Sequence, residues 1–221
     1  MIERVQVPKR ILKEYKRLDV SGLKLYYYFI GKVQTIGLAF KRNNETMQDF
    51  EEIGIYYNEI KITYNELKVY LRLCRVDKGT LYNPITQIND LGLFGDITLG
   101  KKDVIIEFNE KIFELLNEVD CVSSNNEIDL RELSKLKDKY SINLYLYCLT
   151  ILRLKNGKGE GSIQISIDKL KKVLTNGHCN SNDINFYKAF ITRRIKHINE
   201  VTSLDIESKR RGKNVEFKVK K

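Results

Sequence analysis

The sequence has no apolar run long enough to cross a bilayer. Its opening, MIERVQVPKRILKEYKRL, is charged throughout and contains no signal-peptide core, so a cytoplasmic protein is expected. Cysteine is sparse. Cys74, Cys121, Cys148 and Cys179 are scattered, with no C-x-x-C pair. Even with His178 and His197 counted in, that spacing makes no zinc motif, and reduced, mostly buried thiols are expected. The glycine-rich stretch 156–161 has no G-K-[ST] and follows a helical segment rather than a strand, which excludes a phosphate loop. No acid, base and nucleophile converge in any readable motif. No catalysis, cofactor or metal is therefore expected.

What the chain has in excess is positive charge. Its 221 residues hold 39 Lys and Arg against 29 Asp and Glu, a net charge of +10. Such a balance favours a polyanionic partner. The excess is unevenly placed. Residues 1–120 carry 18 basic and 18 acidic side chains, and residues 121–221 carry 21 and 11. Small and polar residues cluster at 121–128 (CVSSNNEI), the best linker in the chain. The expected organisation is one domain over 1–120 and a second over 129–221. An apolar fraction of 42% is enough for real cores.

Along the chain, residues 1–20 read as an arm and a short basic amphipathic helix, with Ile11, Leu12, Tyr15 and Leu18 on its apolar face. Residues 21–36 form a buried helix whose Tyr26, Tyr27 and Tyr28 sit at core margins rather than stacking on bases. Residues 41–52 are polar. Ile60 and Ile62 begin a strand that runs into a helix at Tyr64, with Thr63 as N-cap and Glu66 completing a capping box. A turn at 75–79 precedes a helix over 80–93. A hairpin follows, with residues 100–103 at its tip, and then a short helix to Val119. After the linker, 129–136 reads as a short helix and 141–154 as a buried one. A strand-into-helix over 162–174 has Ser166 as cap. Asp183 caps a long last helix.

This order repeats. Ile60-Lys61-Ile62-Thr63 through Leu71 aligns without gaps on Ile163-Gln164-Ile165-Ser166 through Leu174, sharing I-x-I-[TS]-x-x-x-L-K-x-x-L. Ile85-x-x-Ile88-Asn89 matches Ile195-x-x-Ile198-Asn199, and Leu25-Tyr26-x-Tyr28 matches Leu144-Tyr145-x-Tyr147. Three matches in one order imply duplication. The expected fold class is α+β, two winged helices in tandem with a pseudo-twofold internal repeat.

The second copy ends in the most basic stretch. Residues 183–221 hold eleven Lys and Arg against five Asp and Glu. Tyr187, Ile191, Ile195 and Ile198 share a core face of the last helix, with Phe190 beside them. Asn185, Lys188, Thr192, Arg193 and Lys196 point outward, with Arg194 adjoining. Asparagine pairs with adenine and arginine with guanine, so Asn185 and Arg193 are the candidate base readers. Lys188, Lys196 and the hairpin residues Lys209, Arg210, Arg211 and Lys213 suit phosphates. In the first copy the helix over 80–93 has no Lys or Arg. Tyr82, Asn83, Thr86 and Gln87 are its outward polar options, and Lys101 and Lys102 mark its hairpin. That copy reads bases with polar groups or serves as a protein interface.

Residues 133–145, LSKLKDKYSINLY, resemble the stretch ending in Tyr-Ser-x-x-Leu-Tyr of replication initiators from iteron-containing plasmids. Phe186-x-x-x-Phe190-x-x-Arg193-Arg194-Ile195, running on through Ile198-Asn199-Glu200 to Leu204, is similar to the same family's basic helix and its Ile-Asn motif. The resemblance is good over 103–221 and looser over 1–102. It implies tandem winged helices that bind repeated duplex sites at a plasmid origin. It further implies a monomer active at the repeats, a homodimer that represses its own promoter, and contact with a host initiator and helicase. Two histidines cannot form the paired-His metal site of nicking initiators. A winged-helix transcription regulator and a winged-helix protein scaffold are the competing readings.

Overall fold

The computed structural model describes residues 4–7, 18–42, 59–109, 111, 126–153, 159–175 and 179–221. The chain divides into two compact units, 1–134 and 135–221.

In the first unit, β1 (Arg4–Val7) pairs antiparallel with β5 (Asn126–Asp129), Val5 opposite Ile128. Residues 4–7 were expected as an arm and 126–128 as linker. Val5, Val7 and Ile128 are buried, and a strand whose partner lies over a hundred residues away has no local signal. The rest of that expected linker, 121–125, and the expected helices at 8–17 and 112–119 lie outside the described residues. α1 (Val20–Arg42) buries Tyr26, Tyr27, Tyr28 and Phe29 at 0–1% exposure. The tyrosines are thus core, not margin. Tyr28 stacks on Tyr70 with centroids 4.3 Å apart.

β2 (Glu59–Thr63) alternates exposed and buried and runs into α2 (Tyr64–Leu71), which buries Leu67, Tyr70 and Leu71 as its period requires. Thr63 caps α2 by accepting from the Glu66 amide at 3.2 Å. Glu66 does not close a capping box. Its carboxylate accepts from the Tyr28 hydroxyl and pairs with Lys32, so it ties α2 to α1. α3 (Lys78–Asn89) starts two residues before the expected Thr80, because Asp77 is the cap and Thr80 closes the box. β3 (Ile97–Leu99) and β4 (Asp103–Glu107) complete a sheet in the order β2-β4-β3. α4 (Leu130–Lys135) follows β5.

The second unit opens with α5 (Lys139–Arg153), capped by Asp138, which accepts from the Tyr140 and Ser141 amides at 3.1 Å. β6 (Glu160–Ser166) leads into α6 (Ile167–Thr175), and Ser166 caps it at 3.3 Å. A Cβ on Gly161 would run into the backbone of Ile151, so only glycine lets β6 lie this close to α5. α7 spans 183–201 and is not one uniform helix. Asp183–Asn185 and Arg193–Val201 are α, and Phe186–Thr192 between them is π. Asn182, not Asp183, is its cap, accepting from the Asn185 amide at 2.9 Å. Asp183 pairs instead with Lys171. β7 (Asp205–Arg211) and β8 (Asn214–Lys220) form a hairpin in a sheet ordered β6-β8-β7. Its turn is only Gly212-Lys213, with Arg211 opposite Asn214. Gly212 has φ 61°, the first central position that a two-residue II′ turn reserves for glycine.

Of the three described thiols, Cys148 is buried and Cys179 half-buried, while Cys74, against expectation, is exposed. No described helix is long and apolar enough to cross a membrane.

One buried charge gives a test. Lys24 of α1 is 7% exposed and donates to the Ser134 carbonyl at 2.8 Å. Burial, with Arg72 adding repulsion, lowers its pKa from 10.5 to about 8. Between those values the unfolded chain holds a proton that the folded chain has lost, so stability rises with pH there. In urea unfolding at pH 7.5 to 9.5, the native chain should gain stability relative to Lys24→Met as pH rises. A difference that is flat or falls with pH would remove this reading of Lys24.

Candidate nucleic-acid interface

The outward face of α7 carries three exposed cations, Lys188, Arg193 and Lys196. Phe186, Ile191, Ile195 and Ile198 are buried, and Tyr187 and Phe190 are half-buried. Asn185, Lys188, Thr192, Arg193 and Lys196 are exposed. The sequence period put Tyr187 in the core and left out Phe186, which is buried in its place, because the π segment shifts the core face by one residue. Thr192 marks that shift. Its hydroxyl donates to the carbonyl of Tyr187, five residues back, at 3.1 Å.

Two contacts fix the hairpin against α7. The Tyr187 hydroxyl donates to the Ser208 carbonyl at 2.8 Å. At the other end of α7, the Asn199 side chain clasps one residue of β7. Its Nδ2 donates to the Ile206 carbonyl and its Oδ1 accepts from the Ile206 amide, each at 3.0 Å. The hairpin tip is held as well, since the Ile167 amide at the head of α6 donates to the Lys213 carbonyl at 2.9 Å.

Arg194 departs from its expected role. Its side chain is 18% exposed and faces inward. The guanidinium lies 3.7 Å from the Phe190 ring centroid and 5.2 Å from that of Tyr140. It donates to Asp138 Oδ1 at 3.3 Å and to the Phe190 carbonyl at 3.0 Å. Burial pushes the Asp138 carboxyl up. Hydrogen bonds from Ser141, side chain and backbone, together with Arg194, outweigh that and hold it below its ordinary value. Arg194 therefore buckles α7 to the head of α5.

The hairpin cations also differ from one another. Lys209, Arg211 and Lys213 are exposed, whereas Arg210 alternates onto the inner face and its Nε is buried. Arg211 is paired with Glu216 at 2.8 Å. Among the described residues, Lys209 and Lys213 are left as exposed hairpin cations outside any ion pair.

In the first unit α3 presents Tyr82, Asn83 and Thr86 outward, with Tyr82 64% exposed. Gln87 is committed elsewhere, its Oε1 accepting from the Asp19 amide at 2.8 Å. Lys101 and Lys102 are exposed at the hairpin. Further cations come from Arg75 and Lys78, expected in the 75–79 turn, and from Arg72, expected in the helix before it. Arg72, Arg75 and Lys78 are all exposed, and Lys78 opens α3 itself. The Asp77-x-x-Thr80 box was the available signal. The clasp recurs, with Asn89 Nδ2 donating to the Ile97 carbonyl and Oδ1 accepting from the Ile97 amide, each at 3.1 Å. So does the tip contact, from the Tyr64 amide to the Lys102 carbonyl at 2.8 Å.

Against this geometry, the family model described as "Initiator Replication protein, WH1" matches residues 9–149. The chain belongs to the initiator replication protein family. The match includes 133–145, where the sequence resembles iteron-plasmid initiators, and stops before α7, so α7 and its hairpin rest on their own geometry. Comparison with curated protein sequences gives no match. Among solved structures, this initiator is similar to one titled "Crystal structure of Pi initiator protein in complex with iteron DNA". That similarity has a TM-score of 0.67 and 11% identity, over 99% of this chain and 97% of the other. At that identity the likeness is one of fold.

The different placements of Arg193 and Arg194 predict opposite behaviour. Arg194→Ala should lower unfolding stability by about 1–3 kcal/mol through lost cation–π and hydrogen-bond contacts. It should leave the salt dependence of duplex binding unchanged. Arg193→Ala should leave stability within about 0.5 kcal/mol and weaken binding. A salt slope reduced by about 0.9 in Arg194→Ala would mean that it contacts phosphate after all.

Proposed function

We propose that this initiator binds repeated duplex sites at a plasmid origin, reading sequence with α7 and holding phosphates with the β7–β8 hairpin. The observation that carries this is the exposed stripe of Asn185, Lys188, Thr192, Arg193 and Lys196, clasped by Asn199 to a hairpin bearing Lys209 and Lys213. An α-helix fits a major groove, where arginine and asparagine distinguish bases, and lysines on either side supply salt-dependent affinity. A structural relative is an initiator in complex with iteron DNA, which supports repeated sites as the target.

The two units are, on this reading, winged helices in tandem derived from one duplicated unit. Supporting it are the shared sheet orders, β2-β4-β3 and β6-β8-β7, the paired caps Thr63 and Ser166, and the paired clasps Asn89 and Asn199. The second unit is the main anchor. The first unit refines recognition through Tyr82, Asn83 and Thr86, or pairs with another chain. Self-association as a homodimer, repression of its own promoter, and contact with a host initiator and helicase complete the proposal. Opening of the origin follows from binding, without catalysis by this chain, in the cytoplasm.

The test uses duplexes made from the DNA flanking the gene, with and without its direct repeats. Anisotropy titrations across a salt series should show tighter binding to the repeats. Lys209→Ala with Lys213→Ala should weaken binding to repeat and scrambled duplexes alike and lower the slope by about 1.8, from about 0.9 per phosphate. Asn185→Ala or Arg193→Ala should instead erode the preference, by about 1–3 kcal/mol. Equal binding to repeat and scrambled duplexes by the native chain would contradict the proposal.

A further inference from the structure

We propose that an open groove beside α7 seats a second run of DNA phosphodiester backbone, with Lys137 as its cationic contact; this rests on the duplex-binding reading above. The groove measures about 790 Å³ and is walled by Lys137 and Asp138 on the approach to α5 and by Arg193, Arg194, Lys196 and Glu200 of α7. Two of these charges cancel within the protein, since Arg194 and Asp138 are paired. Lys137, Arg193, Lys196 and Glu200 are exposed, which leaves three cations against one carboxylate at the mouth.

The dimensions of a helix in duplex DNA require such a seat. A helix with its side chains is about 10–12 Å wide, and the major groove is about 12 Å wide. The two backbones must therefore run close along both flanks of an inserted helix. The hairpin meets phosphates where β7 and β8 reach, and none of its residues lines this groove. A backbone passing on the α5 side of α7 meets the groove instead, where Lys137 stands on a different element from the base-reading stripe. Because Asp138 caps α5 and is bound by Arg194, the segment carrying Lys137 is fixed relative to α7. Its contact would thus be with phosphate alone and carry no base information.

The full chain is titrated with the repeat and scrambled duplexes across the same salt series, as native protein, as Lys137→Ala and as Lys172→Ala. Lys172 is exposed on α6 and lies outside the groove. Lys137→Ala should weaken binding to both duplexes by one common factor, about three- to tenfold, and lower the log–log salt slope by about 0.9. Lys172→Ala should match the native protein. The seat is overturned if Lys137→Ala keeps the native affinity and slope, or if it weakens binding to the repeats alone. It also falls if Lys172→Ala lowers the slope equally, since the effect would then be one of overall charge. If the native chain bound neither duplex, the initiator reading would fall and take this seat with it. Native binding with an unchanged Lys137→Ala slope removes only the seat.

Discussion

An asparagine at the end of a helix, bonded to both backbone groups of one strand residue, sets the spacing of helix and hairpin in each unit. The primary amide offers a donor and an acceptor side by side. That pair copies what a neighbouring strand would present, so Asn199 satisfies the Ile206 N–H and C=O at 3.0 Å each. Asn89 does the same for Ile97. Aspartate could accept but not donate, glutamine would sit a methylene too far, and alanine would strand a half-buried N–H and C=O at a cost of about 1–3 kcal/mol. The clasp holds helix and hairpin at one spacing. A surface that must meet bases and phosphates together needs that constraint.

Around this constraint the charged side chains divide by what their own neighbours leave them. Arg193 and Arg194 are adjacent and chemically identical, yet one is exposed and the other is sandwiched by Phe190, Tyr140 and Asp138. Arg210 and Arg211 divide likewise, one turned inward by strand alternation and the other paired with Glu216. Net charge draws a duplex toward the protein, but only the cations left facing solvent can hold it. The first unit resolves the same architecture differently. The middle of α3 is neutral, Arg75 before it is paired with Asp77, and the exposed cations around it are Arg72, Lys78 on its first turn, and Lys101 and Lys102 on the hairpin.

Much of this could be read from the chain alone. The I-x-I-[TS] frame located β2 and β6 with their caps, and the outward stripe of α7 followed from helical period. The Ile-x-x-Ile-Asn match marked both clasps without revealing what the asparagine does. Other features left no local trace. A π segment of seven residues, Phe186–Thr192, is too short to announce itself in an apolar pattern, so Phe186 escaped the expected core. The partners of Gln87, Arg194 and β5 lie 68, 56 and more than a hundred residues away. Only folding brings them together. Local sequence fixes which residues a helix turns outward, and tertiary contacts decide which of those remain available.

The most direct measurement is duplex affinity and amide exchange in Asn199→Ala, made on the fraction that remains folded. If the clasp couples helix and hairpin, the Ile206 amide should exchange faster. The preference for repeats over scrambled DNA should fall by about tenfold, near 1.4 kcal/mol, with the salt slope retained because no phosphate contact is removed. A native preference in Asn199→Ala, with Ile206 exchanging freely, would contradict the account.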